Sequence, residues 1–209
     1  MKSPRRSLSF TDGFRQLMGS METSVRPGRR PDLEGVVEVY NHYVRHTPAT
    51  FEVTPARPED RLQWFEEHAS GGRHRLYVAV DPQDIVVGWA TTSPFRPRAA
   101  YATTVESSVY LRPRSTGQGI GAQLYRALFA GIQSEDIERI VAGMTQPNPA
   151  SLGLHLKFGF RHVGTFSRVG RKFDRFWDVA WYERPLRLST DPSRRGESET
   201  SSTDPVTRS

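Results

Sequence analysis

Cysteine is absent from all 209 residues. Its absence excludes disulfides, thiolate metal sites and a cysteine nucleophile, and it fits a reducing compartment such as the cytoplasm. No apolar run approaches the ~20 residues of a membrane-spanning helix, and the N-terminal segment lacks the apolar core of a secretory signal. A cytoplasmic protein is therefore expected. A concentrated basic block is missing too. The net charge of +6 is spread along the chain, without interleaved aromatics and without a helix-turn-helix or RNA-binding signature. Such a surplus suits capture of a small polyanion as well as it suits a nucleic acid.

Large apolar residues are scarce at both ends. Residues 1–24 are rich in Ser, Arg and Gly and are expected to form a flexible arm, with Met18 and Met21 as alternative starts. From Ser189 to Ser209 the chain has too little apolar surface to offset its conformational entropy, so a disordered tail is expected. The intervening residues 25–188 are long enough for one domain.

Within that domain the periodicity alternates. Leu33, Val36, Val37, Tyr40 and Val44 recur at helical spacing after Pro31-Asp32, and Leu62 and Phe65 follow the start signal Pro58-Glu59-Asp60. Leu76–Val80 and Ile85–Thr92 read as strand, turn and strand, and Ala102–Leu111 reads as a longer strand. Ile120, Leu124, Leu128 and Ile132 form a strong helical stripe. A short buried strand at Ile140–Met144, a helix at Ser151–Phe158 stopped by Gly159, and strands at Phe160–Val169 and Phe176–Leu186 complete the chain. The order is roughly βααβββαβαββ, an α/β layer fold with a mixed sheet.

The segment Gly117-Gln118-Gly119-Ile120-Gly121 joins a strand to the strongest helix. Glycine permits positive φ and close approach of a ligand, and the first turn of a helix offers free N–H groups to an anion such as a pyrophosphate. A plain strand-to-helix turn is the alternative. The third glycine comes one residue too early for a dinucleotide fingerprint, and Ala122-Gln123 follows where a P-loop needs Lys and Ser or Thr. His42 and His46 have a spacing that could hold a metal, yet no third ligand and no H-E-x-x-H motif accompany them, so no metal site is expected.

VYLRPRSTGQGIGAQLY, followed some thirty residues later by NPASLGLHLKFGF, resembles the GNAT acyltransferases, whose fold is a mostly antiparallel mixed sheet flanked by helices. NHYVRHTPATFE, TVESSVYL and the final GRK and WDVAWYE segments are similar to the branch that acetylates phosphinothricin and methionine sulfoximine. The resemblance implies an N-acetyltransferase that uses acetyl-CoA as donor and a small amino-acid-like amine as acceptor, in a homodimer. It implies that Val109, Tyr110 and Leu111 line the acetyl and pantetheine portion. Gly117, Gln118, Gly119, Ile120, Gly121 and Ala122 would take the pyrophosphate, and Asn148 and Ser151 would contact the cofactor further along. Thr116 stands where the motif's leading Gln or Arg is usual, and Arg112 or Arg114 is the candidate to supply the missing charge.

A protonated amine cannot attack a thioester, so a general base is needed. Glu106 matches the branch's catalytic glutamate, and alternation places it on one face with Ser108 and Tyr110. His155 matches a histidine near the sulfur and is the second catalytic candidate. Phe51, Arg98, Tyr101, Lys172 and Phe173 are implied to shape the acceptor pocket, with Arg98 as partner for an anionic group; Phe176 replaces a usual tryptophan. With no cysteine, direct attack in a ternary complex is expected. Two alternatives remain at this stage: an acetyltransferase for protein N-termini or lysines, and a non-catalytic module that binds acyl-CoA or nucleic acid.

Overall fold

The computed structural model describes residues 23–69 and 71–187. The expected tail, and all but the last two residues of the expected arm, lie outside the described residues.

Seven strands form one sheet in the order β1-β2-β3-β4-β5-β7-β6, where β1 is Ser24–Pro27, β2 Leu76–Val80, β3 Val86–Pro94, β4 Thr104–Leu111, β5 Arg139–Thr145, β6 Arg161–Lys172 and β7 Arg175–Pro185. Only β4 and β5 pair in parallel. The helices are α1 (Leu33–His46), α2 (Leu62–Ala69), α3 (Ile120–Gly131) and α4 (Pro149–Lys157). The element order agrees with the sequence pattern. β2 has the expected bounds, and the other strands differ by up to three residues, β3 running past Thr92 to Pro94 and β6 past Val169 to Lys172.

The helices take their faces from the spacing of their apolar residues. In α1, Leu33, Val36, Val37 and Val39 pack with Phe65 of α2 on Leu76, Val78, Val80, Val86 and Trp89. Asp32 opens α1: its buried carboxylate receives two hydrogen bonds from Arg26 at 2.7 and 2.9 Å and one from the Arg29 N–H at 2.7 Å. Ile120, Leu124 and Leu128 of α3 cover the opposite face of the sheet with Ala79, Val87, Ala90 and Val105. Each such fully buried side chain contributes roughly 1.5–3 kcal/mol of transfer free energy. β2 is apolar on both sides for the same reason, because helices cover both its faces. α4 lies on the α3 side, where His155 joins the cluster around Met144 and Phe160. Among the described residues no helix is long and apolar enough to cross a membrane.

β6 and β7 turn at Phe173 and Asp174, with φ of 52° and 55°. Positive φ at both central residues suits the right-handed twist of a tight hairpin. From this hairpin Lys172 reaches back, buried, and donates to the carbonyls of Thr50 at 2.7 Å and Tyr43 at 3.3 Å. It thereby ties the hairpin to the end of α1 and its loop.

Candidate active site

β4 and β5 are paired only from Thr104↔Arg139 to Glu106↔Val141, although β4 runs on to Leu111 and β5 to Thr145. The strands part beyond Glu106 and leave a cleft through the sheet. Its walls include Ser107 to Leu111, Gly143 to Thr145, Thr116, Asn148, Ser151 and His155. Leu111 spends its backbone groups on one hydroxyl: Tyr43 Oη donates to the Leu111 carbonyl at 2.7 Å and lies 3.3 Å from its N–H. In an antiparallel strand the N–H and C=O of one residue point to the same side, alternating along the chain. Val109, two residues before Leu111, therefore turns both groups toward the cleft, whereas the backbone of Tyr110 turns toward β3. The Tyr110 side chain lies on the α1 face, edge-on to Tyr40 and Tyr43.

The glycine loop stands at one end of this cleft. Gly117 and Gly119 have φ of 76° and 79°, and a side chain at either would meet nothing within 4 Å. Glycine is required here by backbone conformation, and open space remains for a ligand. The N–H groups of Gly119, Ile120 and Gly121 have no backbone partner among the described residues, while those of Ala122 and Gln123 already bond the Gly119 carbonyl, both at 3.1 Å. Three free donors at a helix N-terminus make an anion cradle. Gln118 donates to the Arg114 carbonyl at 2.7 Å, which holds the loop's shape. Gly121 has a packing role as well, since a side chain there would come within 3.2 Å of Leu154. Arg112 is committed to Glu38 at 2.6 Å and to the Val86 carbonyl at 2.8 Å, leaving Arg114 as the exposed cation of the loop. Thr116 turns its hydroxyl to the Pro113 carbonyl at 2.9 Å.

Asn148 caps α4 by accepting the Ser151 N–H at 3.1 Å, which aims that helix N-terminus at the cleft. His155, one turn after Ser151, is buried and has both ring nitrogens engaged. Nδ1 is 2.7 Å from the Ser151 carbonyl, which can only accept, so Nδ1 carries the proton. Nε2 then accepts the Tyr125 hydroxyl at 2.9 Å. Burial lowers the pKa of His155 and raises that of Tyr125, so both are neutral near pH 7. Sequence reading missed Tyr125, which looks like one more member of the α3 stripe.

Glu106 projects from the α1 face at the point where the cleft begins. Its carboxylate accepts no hydrogen bond from any described residue, and burial raises its pKa, an effect opposed by the charge of Arg96. Arg96 also lines a broad apolar hollow with Phe95, Tyr101, Val141, Phe166 and Trp181. Arg98, exposed as Arg96 is, stands at the start of the turn Ala99–Tyr101. On the other side of Glu106 a second pocket is walled by Tyr40, Arg61, Trp64 and Trp89 and floored by Ser93 and Ser108. Phe51 lies across Gly170 of β6, and Phe173 sits half-exposed at the hairpin tip. Lys172 is held inward and braces the Phe51 loop through the Thr50 carbonyl. The rings of His42 and His46 stand 5.0 Å apart on α1, and no group of three or more potential metal ligands converges among the described residues.

An unpartnered carboxylate beside a through-sheet cleft, with an anion cradle at the end of that cleft, suits transfer from a long phosphorylated donor. The comparisons with known proteins agree. A phosphinothricin N-acetyltransferase from Streptomyces coelicolor is 53% identical over 169 residues, covering 80% of this chain and 99% of that protein. An L-methionine sulfoximine/L-methionine sulfone acetyltransferase from Pseudomonas aeruginosa is 35% identical over 174 residues, covering 83% and 98%. The crystal structure of a Sinorhizobium meliloti phosphinothricin acetyltransferase in complex with acetyl-CoA superposes with a TM-score of 0.75 at 32% identity, covering 79% of this chain and 89% of that one. The model of the acetyltransferase (GNAT) family matches residues 36–160, and the chain belongs to that family.

Proposed function

We propose that this N-acetyltransferase moves the acetyl group of acetyl-CoA to the amino group of a small amino-acid-like acceptor of the phosphinothricin, methionine sulfoximine or methionine sulfone type, by direct attack in a ternary complex. The observation that carries the reading is Glu106: a half-buried carboxylate with raised pKa and no hydrogen-bond partner among the described residues, at the mouth of the cleft. Such a group takes a proton from an ammonium more readily than an ordinary surface carboxylate does.

The donor supplies an acetyl carbonyl and a thiolate leaving group. For it, the chain offers the N–H groups of Gly119 to Gly121 at the pyrophosphate, the exposed Arg114 nearby, and the backbone of Val109 along the pantetheine. Asn148 and Ser151 face it from across the cleft. Two protons leave the acceptor ammonium. Glu106 takes the first and frees the lone pair; the amine nitrogen then bonds the carbonyl carbon as the C–S bond breaks. The second proton passes from the nitrogen to the departing sulfur, while Tyr125, whose single hydroxyl proton is held by His155 Nε2, presents only oxygen lone pairs to the cleft. Arg96, within reach of Glu106's charge, is the partner for an acceptor's anionic group, with Arg98 and Tyr101 on the same loop and Phe51 and Phe173 opposite.

The enzyme is also proposed to be a cytoplasmic homodimer. In support, the hollow around Phe95, Tyr101 and Trp181 continues into Val163 and Phe166, both 58% exposed on a helix-free face. Light scattering that finds only a monomer would refute the dimer.

The test is acetyl-CoA consumption with phosphinothricin, L-methionine sulfoximine, L-methionine sulfone, the common amino acids and a peptide as acceptors. Turnover is expected with the small analogues, and Glu106→Gln is expected to lower kcat by about 10²–10⁴. Acetylation of the peptide alone, or full activity in Glu106→Gln, overturns the reading.

A further inference from the structure

Glu106 has a neighbour that the mechanism has not used. On β3 the residue directly opposite is Ser93, and both side chains point to the α1 and α2 face. Opposed side chains of an antiparallel pair stand ~5 Å apart at Cβ. Ser93 lines the aromatic pocket together with Ser108, which is two residues along from Glu106. Its hydroxyl is 3.0 Å from Nε2 of His68, near the end of α2.

The protonation of this pair follows from its partners. Nδ1 of His68 is 2.7 Å from the Trp64 carbonyl, one turn earlier in α2. A carbonyl only accepts, so Nδ1 carries the proton and neutral His68 presents a bare Nε2. The single Ser93 hydroxyl proton is then drawn to Nε2, and the oxygen's lone pairs are left facing the pocket. The ring of His68 is fixed as well: it is buried, tilted against Trp64 with centroids 4.8 Å apart, and 6.0 Å from His74.

We propose that Ser93, held as a pure acceptor by His68, binds the ammonium of the incoming amine beside Glu106, so that the amine meets the carboxylate in a fixed orientation. His68 is the positioning residue, and Ser93 touches the substrate. The proposal rests on the acetyltransferase reading and adds a pH-dependent orientation step to it. Burial keeps His68 neutral near pH 7. When His68 takes a proton, Nε2 becomes a donor to Ser93, the hydroxyl proton swings into the pocket, and a donor then faces the ammonium. The titratable and charged groups around His68 are Glu67 on its own helix and His74 with Arg73 on the following segment; from β3 it meets Ser93.

Steady-state kinetics from pH 5.5 to 9, with L-methionine sulfone varied at saturating acetyl-CoA, test this. Wild-type turnover is the control for the acetyltransferase reading. Ser93→Ala is expected to raise the amine KM about tenfold, the loss of one charge-assisted hydrogen bond, with the acetyl-CoA KM unmoved. His68→Leu should do the same. His68→Gln can still accept from Ser93 but cannot titrate, so it should restore the amine KM at pH 8 and make the rise of that KM toward low pH smaller than in wild type, leaving the part due to protonation of Glu106. The Ser93→Ala/His68→Leu pair should be no worse than either single variant. An unchanged amine KM in Ser93→Ala overturns the proposal, as does a His68→Gln enzyme whose acid rise is as large as that of wild type. Should wild type turn over no amine, the acetyltransferase reading fails. The pairing itself then stands or falls on NMR of the His68 ring: a neutral Nδ1–H form whose Nε2 shift moves in Ser93→Ala supports it, and an Nε2–H form refutes it.

Discussion

Removing one oxygen atom tests the buried pair behind the cleft. In Tyr125→Phe the ring stays among Phe129, Phe158 and Phe160, and only the hydroxyl 2.9 Å from His155 Nε2 is lost. Because Nδ1 is already committed to the Ser151 carbonyl, Nε2 becomes a buried acceptor without a donor. Leaving such a group unsatisfied costs about 1–3 kcal/mol, and each kcal/mol lowers Tm by roughly 2–4 °C in a domain of this size. The contact of the same hydroxyl with Ser107 Oγ, at 3.3 Å, is too long to add much. His155→Leu strands the same hydrogen bond from the other side and should cost a similar amount, plus the ring's packing on Phe160. The double variant removes donor and acceptor together, so its loss should fall short of the sum of the singles by about 1–2 kcal/mol. Urea unfolding at pH 8, where His155 is neutral, measures all four proteins. Additive losses would mean that the two groups do not share a hydrogen bond. The assignment of the Tyr125 hydroxyl proton to His155 Nε2 would then have no basis.

In Gly119→Ala the backbone must hold φ of 79° with a side chain, which costs about 1–2 kcal/mol, and the new methyl enters the space before the helix N-terminus; thermal melts should show the loss, and the acetyl-CoA KM should rise while the amine KM does not. Gly170→Ala places a carbon 2.2 Å from the Phe51 ring, where contact needs roughly 3.5–4 Å, so the ring must retreat by over ~1 Å. The amine KM should rise, by up to about 10²-fold if Phe51 positions the acceptor, and an unchanged value would remove Phe51 from the pocket. Stability should fall with acid: His68 and His155 have pKa values lowered by burial, so below the unfolded value of about 6.5 the unfolded chain binds protons that the folded one refuses. Each contributes a slope of up to about 1.4 kcal/mol per pH unit down to its folded value, while Glu106, with its raised pKa, acts in the opposite sense; urea midpoints that stay level from pH 8 to 5.5 would contradict this.

The parts of this site that were legible in the sequence are those that the backbone itself demands. Gly117 and Gly119 need positive φ, and that requirement is written in residue identity. The stripes of α1 and α3, and the alternation that puts Glu106, Ser108 and Tyr110 on one face, follow from periods of 3.6 and 2. Side-chain pairings leave no such trace. Tyr43 meets Leu111 across 68 residues, and Lys172 meets Thr50 across 122. Arg96 and Arg98 are two apart in PFRPRAAY, and because β3 ends at Pro94 no alternation rule says which of them turns toward Glu106. Ser93 shows how narrow the margin is. A strand read as ending at Thr92 puts Ser93 in a loop with no register, where it is one serine among many. Two further residues of pairing set it opposite Glu106 and under His68, and a slip of one residue would turn it to the α3 face. The sheet register, more than the motif, decides which polar side chains share the space where the amine must lose its proton.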